Sequence, residues 1–314
     1  MSAKVVEYCD DELIEKYGCE TYRTRKNISN LSVMDKYMFK NIFPSMESYD
    51  FIGWDIGKDD TFSLKSYLTN PDWNDFFGYI SKKKYYKNME SAIDSSLKNN
   101  KILVPYPNFI LAAFNILSPK DISVVIVGQD PYPGSEDDIP YASGLSFSVP
   151  TGMKQPASLK NIQANLKKFG HVRPDYTCDC LGGWALQGCF LVNSALTTIS
   201  GEKKSHSNIW KLFTQDLIFY LNKYTESVAF MVFGSDAHRI CQPINPKKHY
   251  ITTSSHPSPL SAHSTVRGSS YGYSSNKTND VTIIYPPFES TDHFGKVNIY
   301  LKSVNKPAII WDAI

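Results

Sequence analysis

Four apolar segments of this 314-residue chain are each followed by polar side chains that could carry out chemistry. Asp130 follows the first segment, Asn193 the second, Ser235 the third and His256 the fourth. Carboxylates and imidazoles serve as general acids and bases and stabilise charge that develops during a reaction. An amide can read a pattern of hydrogen-bond donors and acceptors. If these groups meet, they could form a catalytic site with polar recognition.

The elements that must position these groups are short, nearly continuous apolar strands separated by helical patterns. The predicted strands are Ser123–Val127, Cys189–Val192, Val228–Phe233 and Tyr250–Thr253. Such strands are typical of a parallel sheet covered on both faces. We therefore predict an α/β fold: a central four-stranded, mainly parallel sheet with helices on both faces. Ligands of such sheets bind outside the carboxyl ends of the strands, so the polar groups should share one rim.

Each residue taken singly has a simpler interpretation. An Asp before Pro is most often a turn residue, which would account for Asp130. An isolated His usually makes structural hydrogen bonds, and Asn193 could cap a helix. Compatible polar groups at four separate strand ends favour a common site.

Several motifs carry a resemblance to a known family. They are GQDPYPG (128–134), GLSFSV (144–149), SLKNI (158–162), WALQGCFLVNSALT (184–197), the Ser205–His206 pair, FGS (233–235) and HPSPLS (256–261). In these motifs the chain resembles the family 1 uracil-DNA glycosylases, which excise uracil from DNA. The resemblance extends from about residue 73 to the end of the chain. GQDPY and HPSPLS in this order are highly specific.

The resemblance implies two catalytic residues. Asp130 would orient a water below the sugar C1′ and place negative charge beside the cationic sugar of the transition state. His256 would donate a hydrogen bond, as a neutral imidazole, to O2 of the departing uracil. The implied reaction is hydrolysis of the bond between uracil N1 and deoxyribose C1′, with no metal or organic cofactor.

The resemblance also implies how the flipped base is recognised. The Asn193 amide would pair with uracil N3–H and O4, and Phe147 would stack on the ring. Tyr132 would occupy the space beside C5 and reject the methyl group of thymine. Gln129 would contribute mainly through its backbone near O2.

DNA contacts are implied for small hydroxyls and one apolar side chain. The serines would contact phosphates and bend the backbone at the lesion; they are Ser158, Ser235, Ser258 and Ser261. Leu260 would fill the space in the base stack that the uracil leaves. The expected partners are single- and double-stranded DNA that contains uracil, and a DNA-mimicking inhibitor protein. We expect a monomer.

The chain departs from the family pattern after the first motif. Pro133 stands where the family commonly has His, which would remove a contact to DNA or water, and a few residues, Ser135 to Ile139, are added. These departures bear on rate and affinity and leave the reaction unchanged.

Two segments lie outside the expected compact core. Residues 1–70 are predicted to be an N-terminal extension, and residues 71–314 a catalytic domain with an insertion at about 265–292. Arg267 or Lys277 of the insertion could contact DNA beyond the lesion; a solvated loop without a role is the alternative. The extension and the insertion together favour a chain from a large DNA virus.

Composition and charge exclude several classes of protein. Hydrophobic residues make up 42% of the chain, yet no stretch is long and apolar enough for a membrane span. The first residues, MSAKVVEYCDDELIEK, include acids where a signal peptide needs an apolar run. The six cysteines are sparse, which suggests reduced thiols in an intracellular protein. Residues 1–69 carry a net charge of −3 and the remainder +5, so affinity for a polyanion would reside in the later part.

The sequence offers three alternative functions. A G-x-S-x-G match at 268–272 could indicate a serine hydrolase, but it lies in a Ser- and Gly-rich stretch and not between a strand and a helix. A lyase would need an amine nucleophile, and no matched motif has a Lys at a catalytic position. The remaining alternative is a catalytically weakened DNA-binding subunit of a replication complex.

Overall fold

A computed structural model of the protein describes residues 61–136, 139–150, 153–271 and 282–312. The helices are α1 (Asn74–Ile80), α2 (Lys84–Lys98), α3 (Ala112–Ile116), α4 (Ala157–Lys168), α5 (Gly182–Leu186), α6 (Ser207–Tyr224), α7 (Gly234–Cys241) and α8 (His293–Ser303). The strands are β1 (Leu103–Val104), β2 (Val124–Gly128), β3 (Ser135–Glu136), β4 (Ile139–Pro140), β5 (Cys189–Asn193), β6 (Thr198–Ile199), β7 (Ala229–Phe233), β8 (Tyr250–Ser254), β9 (Val266–Gly268) and β10 (Ile283–Tyr285).

The predicted α/β fold is confirmed. The central sheet has the order β5-β2-β7-β8, and all of its strand pairs are parallel. Every residue of β2, β5 and β7 is buried, although successive side chains point to opposite faces. Both faces of the sheet are therefore covered. The predicted strands differ from the observed ones by at most one residue at either end.

Aromatic packing fills the two layers. On one face, Phe190 of β5 packs against Trp73 and Phe114, with ring centroids 5.3 and 5.2 Å away. On the other face, Phe233 of β7 packs edge-on against Phe288 at 5.1 Å. Each buried ring contributes roughly 1.5–3 kcal/mol through removal of apolar surface from water. This packing makes the sheet a rigid support for the loops at its edge.

The residues just before position 70 take part in this core. Leu64 is fully buried, and its backbone N–H donates to Glu90 of α2 at 2.8 Å. The backbone N–H of Phe62 donates to Asp94 of the same helix at 3.1 Å. The boundary near residue 70 remains a prediction, and residues 1–60 lie outside the described part.

Two stretches of the predicted insertion, residues 266–268 and 283–285, form an antiparallel pair of strands. Arg267 of β9 lies opposite Ile284 of β10, whereas Lys277 lies outside the described residues. The Tyr271 hydroxyl forms a hydrogen bond of 2.6 Å with Nδ1 of His238 in α7. The Tyr285 ring stacks on the His238 ring, with centroids 4.3 Å apart. The pair is thus packed on the helix that follows β7. The added residues after Pro133 form a second short pair, β3 with β4.

Candidate active site

The carboxyl ends of the four parallel strands open onto one cavity of about 360 Å³. Gly128 at the end of β2 pairs with Asn193 at the end of β5, and Phe233 of β7 pairs with Ser254 of β8. All site residues predicted from the sequence line this cavity; they are Gln129, Asp130, Tyr132, Phe147, Ser158, Asn193, Ser235, His256, Ser258, Leu260 and Ser261. The structure therefore brings together residues that are up to 132 positions apart.

His256 is held as a neutral imidazole. Its Nδ1 accepts a hydrogen bond of 3.0 Å from the backbone N–H of Ser258. Burial, aided by the nearby Lys204 cation, lowers the pKa of His256 to about 4. Because Nδ1 is an acceptor, the proton of the neutral ring lies on Nε2. The ring can therefore donate one hydrogen bond from Nε2 without carrying a charge.

The backbone of Gly234 makes room for this imidazole. Gly234 has a φ of +83°, in the left-handed region that side chains disfavour. A Cβ added there would lie only 2.9 Å from the Cβ of His256. On another side the Phe147 ring lies 5.7 Å from the His256 ring, centroid to centroid. His256 is thus fixed between the turn after β7 and the 144–149 segment.

Asp130 is held by the loop that precedes α6. Its Oδ2 accepts a hydrogen bond of 2.8 Å from the backbone N–H of Lys204. Burial raises the pKa of Asp130, and this effect outweighs the hydrogen bond and the charges of Lys204 and Lys203, which lower it. The carboxylate is therefore partly dehydrated, as suits a group that accepts a proton or faces a cation.

Asn193 is positioned by contacts between the chain segments after β2 and β5. The backbone N–H groups of Ser194 and Ala195 donate to the carbonyls of Gly128 and Gln129, at 3.0 and 3.1 Å. A Cβ at Gly128 would overlap the Asn193 Oδ1 atom. Glycine at 128 therefore allows the amide to lie across the end of β2, where it faces the cavity.

Aromatic side chains form two further walls of the cavity. Phe147 adopts a φ of +63°, which is unfavourable for a bulky residue, and its side chain is buried. The Tyr132 hydroxyl is buried and has no hydrogen-bond partner among the described residues. The cavity thus has polar groups from Asn193 and His256 on one part of its wall, and the aromatic rings of Phe147 and Tyr132 on another.

The mouth of the cavity carries hydroxyls and one protruding leucine. Ser158 lies in the first turn of α4, and Ser235 in the first turn of α7. The Ser258 carbonyl accepts from the backbone N–H groups of Ser261 and Ala262, at 2.9 and 2.8 Å, which makes a tight turn. At the tip of this turn the Leu260 side chain is 95% exposed.

Comparisons with known proteins show the family to which this chain belongs. The model of the uracil DNA glycosylase superfamily matches residues 114–276. A probable uracil-DNA glycosylase of Acanthamoeba polyphaga mimivirus is 44% identical over 91% of this chain and 77% of its own length. The chain belongs to the uracil DNA glycosylase superfamily. Within it, a crystal structure of mimivirus uracil-DNA glycosylase superimposes with a TM-score of 0.81, at 44% identity, covering 87% of this chain and 98% of that one.

A second mimivirus structure of this superfamily was solved with a bound protein. It is a variant of the mimivirus enzyme in complex with UGI, at 47% identity and a TM-score of 0.76, and the match covers 80% of this chain and 91% of that one.

Three charged residues that line the cavity were not predicted from the sequence. Lys203, Lys204 and Asp236 line the cavity, and Lys204 has a φ of +60°. Lys203 and Lys204 directly precede the Ser205–His206 motif, and Asp236 directly follows FGS, so inspection of motif neighbours could have found them. Nothing in the spacing indicates that they meet, because their contacts join separate loops.

The segment that carries Pro133 is hydrogen-bonded to the loop that precedes α6. The Pro133 carbonyl accepts from the backbone N–H of Gly201 at 2.8 Å. The loss of a DNA or water contact at this position remains a prediction.

In the described part of the chain, no group of three or more His, Cys, Asp or Glu residues could hold a metal ion. No helix of that part has the length and apolar character to cross a membrane.

Proposed function

We propose that this protein hydrolyses the N-glycosidic bond of deoxyuridine in DNA, releases free uracil and leaves an abasic site. This is the first step of base excision repair. The observation that carries the proposal is that Asp130 and His256 face one cavity at the carboxyl edge of the sheet. Membership of the uracil DNA glycosylase superfamily and the curated names of its relatives support it.

The sugar side of the reaction is assigned to Asp130. As the bond breaks, its electron pair goes to uracil N1 and positive charge develops on the sugar. The carboxylate stabilises that charge and orients the water that adds to C1′. The water proton passes to the carboxylate and then to solvent. The hydrogen bond from the backbone N–H of Lys204 holds Oδ2 of Asp130 in place and supports this orientation.

The base side is assigned to His256. Because the Nδ1 atom of this ring accepts from Ser258 N–H, the Nε2–H group is free to donate to uracil O2, where negative charge accumulates. A preorganised donor of this kind contributes about 10²–10³ in rate. The low pKa of about 4 keeps the imidazole from protonating uracil. Uracil leaves as an anion and takes its proton from solvent.

Selectivity is assigned to the remaining walls. The Asn193 amide pairs with N3–H and O4 of a flipped uracil, a pattern that cytosine cannot match. Phe147 stacks on the base, and Tyr132 blocks a methyl group at C5. The Gln129 backbone supports the base near O2. The burial of the Tyr132 hydroxyl supports a steric role for this ring.

The mouth is assigned to DNA. Ser158, Ser235, Ser258 and Ser261 bind phosphates, and Leu260 enters the base stack when the uracil is flipped out. The position of Leu260 at the tip of the turn supports this role, because its exposed side chain can enter the stack without a change in the protein core. The same exposed surface would accept a DNA-mimicking inhibitor protein, as the mimivirus complex with UGI suggests. We further propose that the protein acts as a monomer.

Uracil release tests the proposal. The full chain is incubated with single- and double-stranded oligonucleotides that contain uracil, and with a thymine control, and free base and alkali-labile sites are measured. Asp130→Asn should nearly abolish release while it retains binding. Asp121→Asn is the matched control, because Asp121 is exposed and precedes β2 at the opposite edge of the sheet.

Two outcomes would contradict the proposal. Full activity in Asp130→Asn would remove the assigned role of this carboxylate. Binding of uracil-containing DNA without base release by the parent chain would instead favour a catalytically weakened DNA-binding subunit.

A further inference from the structure

A cluster of charged side chains lies at the cavity mouth on the Asp130 side. Lys204 Nζ lies 3.2 Å from Oδ2 of Asp236, and Arg239 Nη2 lies 2.5 Å from Oδ1. The Gln129 amide also donates to Oδ2 of Asp236. The Asp236 carboxylate therefore faces two cations. With Lys203 and the nearby Asp130 included, three cations and two carboxylates leave a net positive charge.

The pairing of these cations is easily exchanged. The side chain of Lys204 is 53% exposed and that of Arg239 is 65% exposed. Ion pairs in contact with water contribute little to stability, because solvent screens the charges. A phosphate presents several charged oxygens and can replace a single carboxylate oxygen as the partner of a lysine. The Lys204–Asp236 pair thus costs little to open when an anion arrives.

The location of the cluster matches where a bound strand must carry its phosphates. With the base against Asn193 and His256 and the sugar beside Asp130, the flanking phosphates lie at the mouth. The backbone of Lys204 already contacts Asp130, at 2.8 Å, so its side chain starts next to the sugar position. Ser235, in the same helix as Asp236, lines that mouth as well.

From these contacts we infer that Lys204 binds a phosphate of the strand that enters the cavity. In the free protein Asp236 holds the Lys204 side chain in place, and a phosphate oxygen replaces the carboxylate when DNA binds. This inference rests on the proposed function, because it takes the cavity to be the site of a flipped nucleotide. Besides the serine contacts, DNA would thus have a charged contact with Lys204, whose partner changes from Asp236 to a phosphate on binding.

The test is the salt dependence of strand binding. Affinity for a uracil-containing single-stranded oligonucleotide is measured across salt concentrations in the Asp130→Asn background, where hydrolysis does not interfere. Lys204→Met should reduce the slope of log affinity against log salt by about 0.7, because one fewer phosphate is neutralised. The same slope predicts a loss of about fivefold at 0.1 M salt. Asp236→Asn, which keeps an oxygen acceptor for Gln129, should tighten binding and steepen the slope.

A second lysine–aspartate pair provides the control. Lys120 and Asp72 also lie 3.2 Å apart and are exposed, but they precede β2 at the amino edge of the sheet. Lys120→Met and Asp72→Asn should leave the slope unchanged. An unchanged slope in Lys204→Met, or weaker binding by Asp236→Asn, would overturn the inference. Failure of the proposed function would show separately, as absence of uracil release by the parent chain.

Discussion

Replacement of Gly234 by alanine tests whether the position of His256 limits the reaction. The added Cβ would lie 2.9 Å from the His256 Cβ and 3.5 Å from its Cα and Cδ2. Non-bonded carbon atoms are in optimal contact at about 3.5–4.0 Å. The imidazole, or the turn that carries it, must therefore shift by roughly 0.6–1 Å.

A shift of this size would move the Nε2–H group away from the position that we propose for uracil O2. Misplacement of a reacting group by about 1 Å can cost about 10²-fold in rate. Alanine with a left-handed φ also destabilises the fold by about 1–2 kcal/mol. The variant should therefore lose both rate and stability, and a control must separate the two effects.

Gly170→Ala is that control. Gly170 has a φ of +72°, close to the +83° of Gly234, but an added Cβ there would meet no atom within 4 Å. Thermal unfolding should show that both variants lose stability. Single-turnover uracil release should fall about 10²-fold in Gly234→Ala alone. Equal rates in the two variants would refute the idea that contact with Gly234 positions the His256 imidazole for its proposed role.

Three further predictions concern the base pocket and pH. Gly128→Ala should reduce discrimination against cytosine, measured as the ratio of cytosine to uracil release, because its Cβ would displace the Asn193 amide; an unchanged ratio would argue against this placement of the amide. Tyr132→Ala should release thymine, which base chromatography would detect, and strict uracil specificity would contradict the steric role. The pKa of His256 is about 6.5 in the unfolded chain and about 4 in the folded protein. Between these pH values the unfolded chain therefore binds more protons than the folded protein does. The free energy of unfolding consequently decreases as the pH falls from 6.5 to 4, by up to about 3 kcal/mol. Urea unfolding at pH 7 and pH 4.5 should show a smaller loss in His256→Asn than in the parent, and an equal loss would contradict the assigned shift.

Local patterns were enough to predict the sheet and most of the site. The segments before Asp130, Asn193 and Ser235 are short and nearly continuously apolar, as is typical of strands in a parallel sheet covered on both faces, and these strands are fully buried. The strand before His256 contains two threonines, lies at the edge of the sheet and is only partly buried. Parallel strands also end at the same edge, which is why polar residues following each strand were expected to meet. The specific roles came from resemblance to a family, since spacing alone does not distinguish a water-orienting carboxylate from a turn residue.

The sequence by itself therefore determined which segments form the sheet and which polar side chains reach its rim. Only the tertiary structure decided the protonation states, hydrogen bonds and ion pairs of those side chains. The tautomer of His256, the hydrogen bond from Lys204 to Asp130 and the shared carboxylate of Asp236 depend on loops that are distant in sequence. Burial and charge act through space over a few ångströms, whereas residue periodicity reports only which face of its own element a side chain occupies.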